Sequence, residues 1–288
     1  MQYKRKKANF LDYLKRAKKF RTKKRLGQNF LVDETVINRI ITEAALSSED
    51  IVVEIGAGIG FLTEQLAQKA QKVIAVELDE EAITVLKKLP YPNIEIIQQD
   101  ILTVDFSEIT NVPVKVVANI PYYITTPILS HLLGEIDQPE WKNRELVTEI
   151  ILMVQYEVAK RLVANEKSSA KEYGLLSILV NYWCETEFIC KVPADSFYPP
   201  PKVDSALVKL KVRSEPAIQL DNPSIFRQVT QAAFGKRRKT IKNALVMSDF
   251  EAEKVNSALE QGNIDPSRRG ETLSLEDFKK ISEKLEAI

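Results

Sequence analysis

Short apolar runs alternating with helical stretches constrain this chain more than any other feature. Ile51–Ile55, Lys72–Glu77, Ile94–Gln98, Val114–Ala118 and Glu145–Val154 each read as a buried strand. Between them, Phe61–Ala70, Asp79–Leu89 (stopped by Pro90) and Thr125–Gly134 read as helices. An earlier helix starts behind Asp33, an acidic cap, with Val36, Ile37, Ile40, Ile41 and Ala44 on one stripe. Such alternation implies an α/β fold, a mostly parallel sheet with helices on both faces. Phe188–Val192 and Ser205–Val212, separated by the rigid PADSFYPPPKVD, bring the strands to seven. After Pro216 the pattern is helical, over Ile225–Phe234, Lys239–Met247, Phe250–Gln261 and Leu275–Ala287. The expected organisation is a basic arm (residues 1–25), an α/β domain (26–215) and a small all-helical domain (216–288).

Charge is unevenly placed. The first 25 residues hold 12 of the 41 bases and 1 of the 40 acids, leaving 29 bases against 39 acids elsewhere. A basic arm on an acidic body is either a phosphate-binding segment or a solvated tail. Lys236, Arg237, Arg238, Lys239 and Lys242 form a second cluster, which with Arg268 and Arg269 is expected to grip RNA phosphates. No run of 18 apolar residues exists, so no membrane span is expected. The N-terminus, MQYKRKKANFLDYLKRAKKF, lacks an apolar signal core, which points to the cytoplasm. Cys184 and Cys190 match no zinc spacing, and His131 is the single histidine, so no metal site is expected.

The strand ends carry the chemistry. VVEIGAGIGFLTE (52–64) is strand, glycine loop and helix. A dinucleotide fingerprint needs a third glycine at position 61, which is Phe61. Glu54 on the preceding strand suits a sulfonium better than a pyrophosphate, which it would repel. Glu77 ends the next strand, where a carboxylate accepts ribose hydroxyls. Asp100 ends the third and suits an adenine amino group, with a plain turn as the alternative. The fourth runs into NIPYYI (119–124), an amide, a proline and two aromatics where a turn normally uses Gly, Asp or Ser.

VEIGAGIGFLTE, VELD, QQD and NIPYYI, with LGQNFL (26–31) before them and FYPPPKVDSALVKL (197–210) after, resemble the ribosomal RNA adenine N6-dimethyltransferase family. FGKRRKTIKNAL (234–245) and GNIDPSRRGETLSLEDF (262–278) extend the resemblance to the C-terminus. It starts near Arg21, and residues 1–20 fall outside it. The resemblance implies a Rossmann-like class I methyltransferase using S-adenosyl-L-methionine. It implies dimethylation of N6 on two adjacent adenosines near the 3′ end of 16S rRNA in the small ribosomal subunit, by a monomer. It also implies that Gln28, Asn29 and Leu31 close over the cofactor. Gly56 and Gly58 let it approach the main chain, Glu77 holds its ribose and Asp100 its adenine. Asn119, with Ile120, Pro121 and Tyr122, receives the target base, and Phe197 stacks on its other face.

The chemistry agrees with those assignments. An exocyclic amine is conjugated into its ring and is a poor nucleophile. The Asn119 amide oxygen and the Ile120 carbonyl can bind its hydrogens and stabilise the positive charge that develops. Pro121 fixes the turn and adds no competing N–H. Tyr122 offers a stacking face, and Tyr123 reads as a packing or pocket-wall residue. Two alternatives stand beside this reading: a large-subunit (23S) rRNA methyltransferase of the macrolide-resistance type, and a non-catalytic rRNA-binding assembly factor.

Overall fold

A computed structural model describes residues 10–23 and 26–287. The cations Lys4, Arg5, Lys6, Lys7, Lys24 and Arg25 of the basic arm lie outside those residues.

Seven strands form the main sheet: β1 (Ile51–Ile55), β2 (Lys72–Glu77), β3 (Ile94–Gln98), β4 (Val114–Asn119), β5 (Val147–Gln155), β6 (Cys184–Val192) and β7 (Ser205–Val212). Their order is β3-β2-β1-β4-β5-β7-β6. The pairs β1–β2, β2–β3, β1–β4 and β4–β5 are parallel. The chain works outward from β1 to β3, then restarts on the other side of β1 at β4. Right-handed crossovers therefore put the two sets of helices on opposite faces. The side chains of Val73, Ile74, Ala75 and Val76 are at most 2% exposed, as a sheet covered on both faces requires. The reversal between β1 and β4 leaves a crevice at the carboxyl ends of these strands, where open α/β sheets take ligands.

Four helices matter for the site: α1 (Phe10–Lys19), α2 (Glu34–Ala44), α3 (Phe61–Ala67) and α4 (Glu80–Leu86). Asp33 caps α2 through Thr35 N and Val36 N, and Asp79 caps α4 through Glu81 N. A short ribbon pairs Phe30–Leu31 antiparallel with Phe197–Tyr198.

Contacts divide the chain into two compact units. The first holds 1–132, 142–159 and 187–210; the second holds 133–141, 160–186 and 211–288. The second unit is thus more than the C-terminal segment expected from residue 216 on. The reason is a helix at Leu175–Trp183, LLSILVNYW, an apolar run with only Ser177 and Asn181 as polar residues, which is easily passed over as a helix. Tyr182 packs 6.2 Å from Phe226, and Tyr173 packs 5.5 Å from Phe234, so this stretch joins the core of helices Pro223–Gly235 and Leu275–Glu286. Helices Ile241–Val246 and Ala252–Gln261 complete that unit.

Candidate active site

All the strand-end residues meet in one cleft of the first unit, about 1100 Å³ including its open mouth. Gly58, in the loop after β1, has φ +55°, and a Cβ there would stand 3.0 Å from Phe30 Cε1. A glycine is the residue that fits. Its N–H donates to Glu77 Oε2 at 2.7 Å, while Glu77 Oε1 accepts from Leu78 N (2.9 Å) and Asp79 N (2.8 Å). A carboxylate has about four acceptor sites. Three are in use, so Glu77 has room for one ribose hydroxyl while the Gly58 bond stands, not for both. Asp100 Oδ1 accepts from Leu102 N, which closes a turn. Its other oxygen makes no hydrogen bond among the described residues, and Asp100 is exposed and lines the cleft, so the turn leaves an acceptor for a ligand.

Glu54 is the outlier. It is 2% exposed and lines the cleft, and its Oε2 has no partner. Burial, with the charge of Glu77 adding, pushes its carboxyl up to about 8, against the lowering effect of the nearby Thr63 hydroxyl. Burial thus keeps the acid neutral in the unliganded protein, and a cation bound in the cleft beside it would favour its ionised form.

Asn119 closes β4. Its Nδ2 donates one of its two N–H groups to Asn29 O at 3.3 Å, which fixes the orientation of the amide, and Oδ1 accepts no hydrogen bond among the described residues. The Ile120 carbonyl accepts no hydrogen bond among the described residues, while its side chain is buried. Pro121 opens the turn, and its carbonyl accepts from Ile124 N. Tyr122 is fixed by a 2.6 Å hydrogen bond between its hydroxyl and Ser205 Oγ, at the start of β7. Burial raises its phenol pKa. Tyr123 is 64% exposed and also lines the cleft, so it is a wall residue and not a packing one.

One expected assignment changes, and Gln28 gains a structural task. Phe197 is 3% exposed, belongs to the core beneath the ribbon opposite Leu31, and does not line the cleft. Ribbon pairing turns its ring inward, so it offers no stacking face here. Gln28 lines the cleft, yet its Oε1 accepts from Lys23 N (2.8 Å) and its Nε2 donates to Asp79 Oδ2 (2.7 Å). It is a strut that holds the segment 26–31 onto the loop after β2. Lys23 Nζ adds ion pairs to Asp79 (2.5 Å) and Glu81 (3.1 Å). Asn29 and Leu31 also line the cleft. Lys23, Asp79 and Ser205 act behind the site through side-chain contacts between distant segments, and carried no local motif. His131 is structural: its Nε2 donates to Val104 O at 2.9 Å.

The model of the family described as ribosomal RNA adenine dimethylase matches residues 19–286. This chain belongs to that family. Ribosomal RNA small subunit methyltransferase A of Clostridium botulinum (strain Langeland) is 43% identical over 268 residues, covering 92% of this chain and 94% of the relative. The same-named protein of Moorella thermoacetica is 43% identical over 276 residues, covering 92% of each. Among solved structures, a dimethyladenosine transferase from Plasmodium falciparum superposes with a TM-score of 0.72 at 29% identity, over 86% of this chain and 94% of that one. The 23S rRNA methyltransferase ErmE superposes with a TM-score of 0.68 at 28% identity, over 90% and 100%. A dimethylase of this family takes its methyl group from S-adenosylmethionine. The orphaned Glu54 oxygen fits that cofactor, which carries a sulfonium and an ammonium, as it would not fit a pyrophosphate.

In the second unit the expected phosphate-gripping cluster is partly committed to the protein. The Arg237 guanidinium donates to the carbonyls of Ala170 and Tyr173. Arg268 is held by Thr272 and by an ion pair with Asp277 at 3.2 Å. Lys236, Arg238, Lys239 and Arg269 are exposed and free of such bonds among the described residues. Arg268→Ala is therefore expected to lower the melting temperature, whereas Arg238→Ala leaves it unchanged and reduces the salt slope of RNA binding by about 0.7–0.9. Thermal melts and salt titrations of binding separate the two.

Proposed function

We propose that the chain dimethylates N6 of two adjacent adenosines near the 3′ end of 16S rRNA, on the small ribosomal subunit in the cytoplasm. The supporting observation is Asn119: its amide is oriented by a bond from Nδ2 to Asn29 O, and its oxygen and the Ile120 carbonyl, both on residues that line the cleft, accept no hydrogen bond among the described residues. Glu77, Asp100 and Glu54 would hold the cofactor, which supplies a methyl group made electrophilic by its sulfonium. The two acceptors take the hydrogens of the target amine and draw its lone pair out of conjugation. Tyr122, locked by Ser205, presents a ring on which the base stacks. No general base is needed, because the alkylated ammonium is acidic and loses its proton to water. For the second transfer, one acceptor still has a hydrogen to bind while the open cleft admits the first methyl group.

The alternative acceptor is large-subunit rRNA, the substrate named for ErmE. The small-subunit reading is favoured by relatives at 43% identity, against 28% for ErmE. Offered small subunits and naked large-subunit rRNA in parallel, the protein is expected to methylate the former alone. Transfer to large-subunit rRNA alone would reverse the assignment.

Tyr123 supplies a further expected result. Its exposed ring at the cleft gives a base beside the target a surface to stack on, at roughly 1–3 kcal/mol per stack. Tyr123→Ala is expected to lower kcat/KM for the subunit about tenfold, with Tyr123→Phe near wild type. Steady-state kinetics with cofactor held saturating reads this out.

A further inference from the structure

Helix α1 precedes nearly all of the family match, which begins at residue 19, yet it is built into the first unit. Tyr13 and Ala17 are 1% and 0% exposed. The Tyr13 ring lies 4.4 Å from that of Phe61, and its hydroxyl accepts from Gln65 Nε2 at 2.9 Å. Arg16 lies over the Phe61 ring at 4.9 Å, pairs with Glu64 Oε1 at 2.5 Å and donates to Ile59 O at 3.2 Å. Just past the helix, Phe20 meets Phe30 edge-on at 5.5 Å. Ile59, Phe61 and Phe30 all line the cleft, so the inner face of α1 is fastened beside it.

The outer face is different. Lys15, Lys18 and Lys19 stand at i, i+3 and i+4, one side of the helix, and Arg21 follows at its exit; all four are exposed. None has an ion pair or side-chain hydrogen bond among the described residues, whereas the inward cations Arg16 and Lys23 are both paired. Like charges at that spacing repel and weaken a helix. The rest of the chain is acidic, yet among the described residues no carboxylate, not even Asp12 one turn before Lys15, comes within ion-pair distance of these four. A membrane-surface helix would need its apolar face for lipid, and here that face is spent on the protein core.

We infer that the outer face of α1, with Arg21, binds phosphates of the RNA strand flanking the target adenosines. The inference rests on the rRNA reading above. Anchored on Phe61 and, just past its end, on Phe30, both of which line the cleft, the helix carries its cations at a fixed place, and the RNA backbone supplies the partners missing among the described residues.

The test is a quadruple variant, Lys15→Gln, Lys18→Gln, Lys19→Gln and Arg21→Gln, which removes charge and leaves Tyr13, Arg16 and Ala17 in place. Binding to small subunits and to a naked 3′-terminal 16S rRNA fragment is measured across salt. The slope of log K against log salt is expected to shrink by about 3 on both, at 0.7–0.9 per lost phosphate contact. Melting temperature and S-adenosylmethionine affinity should match wild type. An unchanged slope overturns the proposal, as does a loss confined to whole subunits, which would mark a ribosomal protein as partner. A fall in melting temperature or cofactor affinity that accounts for the weaker binding assigns α1 a purely structural role and overturns it too. Methyl transfer by the wild type is scored separately: its absence would sink the rRNA reading without touching the comparison of slopes.

Discussion

Asn119→Ala is expected to cut the rate of methyl transfer by about 10²–10³-fold, the usual cost of removing one preorganised polar group at a developing charge. The fold should survive, because among the described residues the side chain makes a single hydrogen bond, to Asn29 O, of roughly 1 kcal/mol. RNA affinity should also survive, since phosphates supply most of it. Single-turnover transfer with both substrates saturating isolates the step. The Ile120 carbonyl remains in the variant and holds one hydrogen of the amine, which is why a residual rate is expected. Transfer at the wild-type rate would show that the amide oxygen does not orient the acceptor.

The second large effect concerns Glu54. Its carboxyl is pushed up to about 8, so in the unliganded protein it is protonated at neutral pH, while the same group in the unfolded chain ionises near 4.5. The folded state then binds the extra proton. Its contribution to stability is present at low pH and lost as pH rises from about 4.5 to about 8. A cation bound beside it favours the carboxylate and expels the proton. S-adenosylmethionine affinity should therefore climb with pH, on the order of tenfold per unit below about 8, with proton release visible as a buffer-dependent heat. Glu54→Gln should flatten that part of the profile and weaken binding by roughly 10–100-fold, the worth of a charged hydrogen bond. The cofactor's own amine titrates nearby, and subtracting the variant's profile from the wild type's removes it. Parallel profiles in wild type and variant would detach Glu54 from the cofactor.

The sheet and the strand-end residues were legible because they are local. Runs of β-branched residues ending in Gly56, Glu77, Asp100 and Asn119 announce a strand, its end and its chemistry within a few positions. Contacts between distant segments were not legible. Ser205 locks Tyr122 from 83 positions away, and Asp79 gathers Lys23 and Gln28 from about 50. Phe197 belongs to a motif that signals the family, yet its pairing with Leu31 buries the ring it was expected to expose. The arm followed the same rule: its charges were plain, but that Tyr13 and Ala17 seat a helix on Phe61 depends on a partner surface far along the chain. Tyr123 needed the structure for the opposite reason, since an aromatic in a turn can face either way.

The most direct measurement of the central claim is the product. Small ribosomal subunits lacking the modification are incubated with the purified protein and methyl-labelled S-adenosylmethionine, and their 16S rRNA is digested to nucleosides. Label is expected in N6,N6-dimethyladenosine, at two neighbouring positions near the 3′ end, abolished or nearly so by Asn119→Ala. Label on another atom or another RNA, or an unlabelled product from active, cofactor-binding protein, would contradict it.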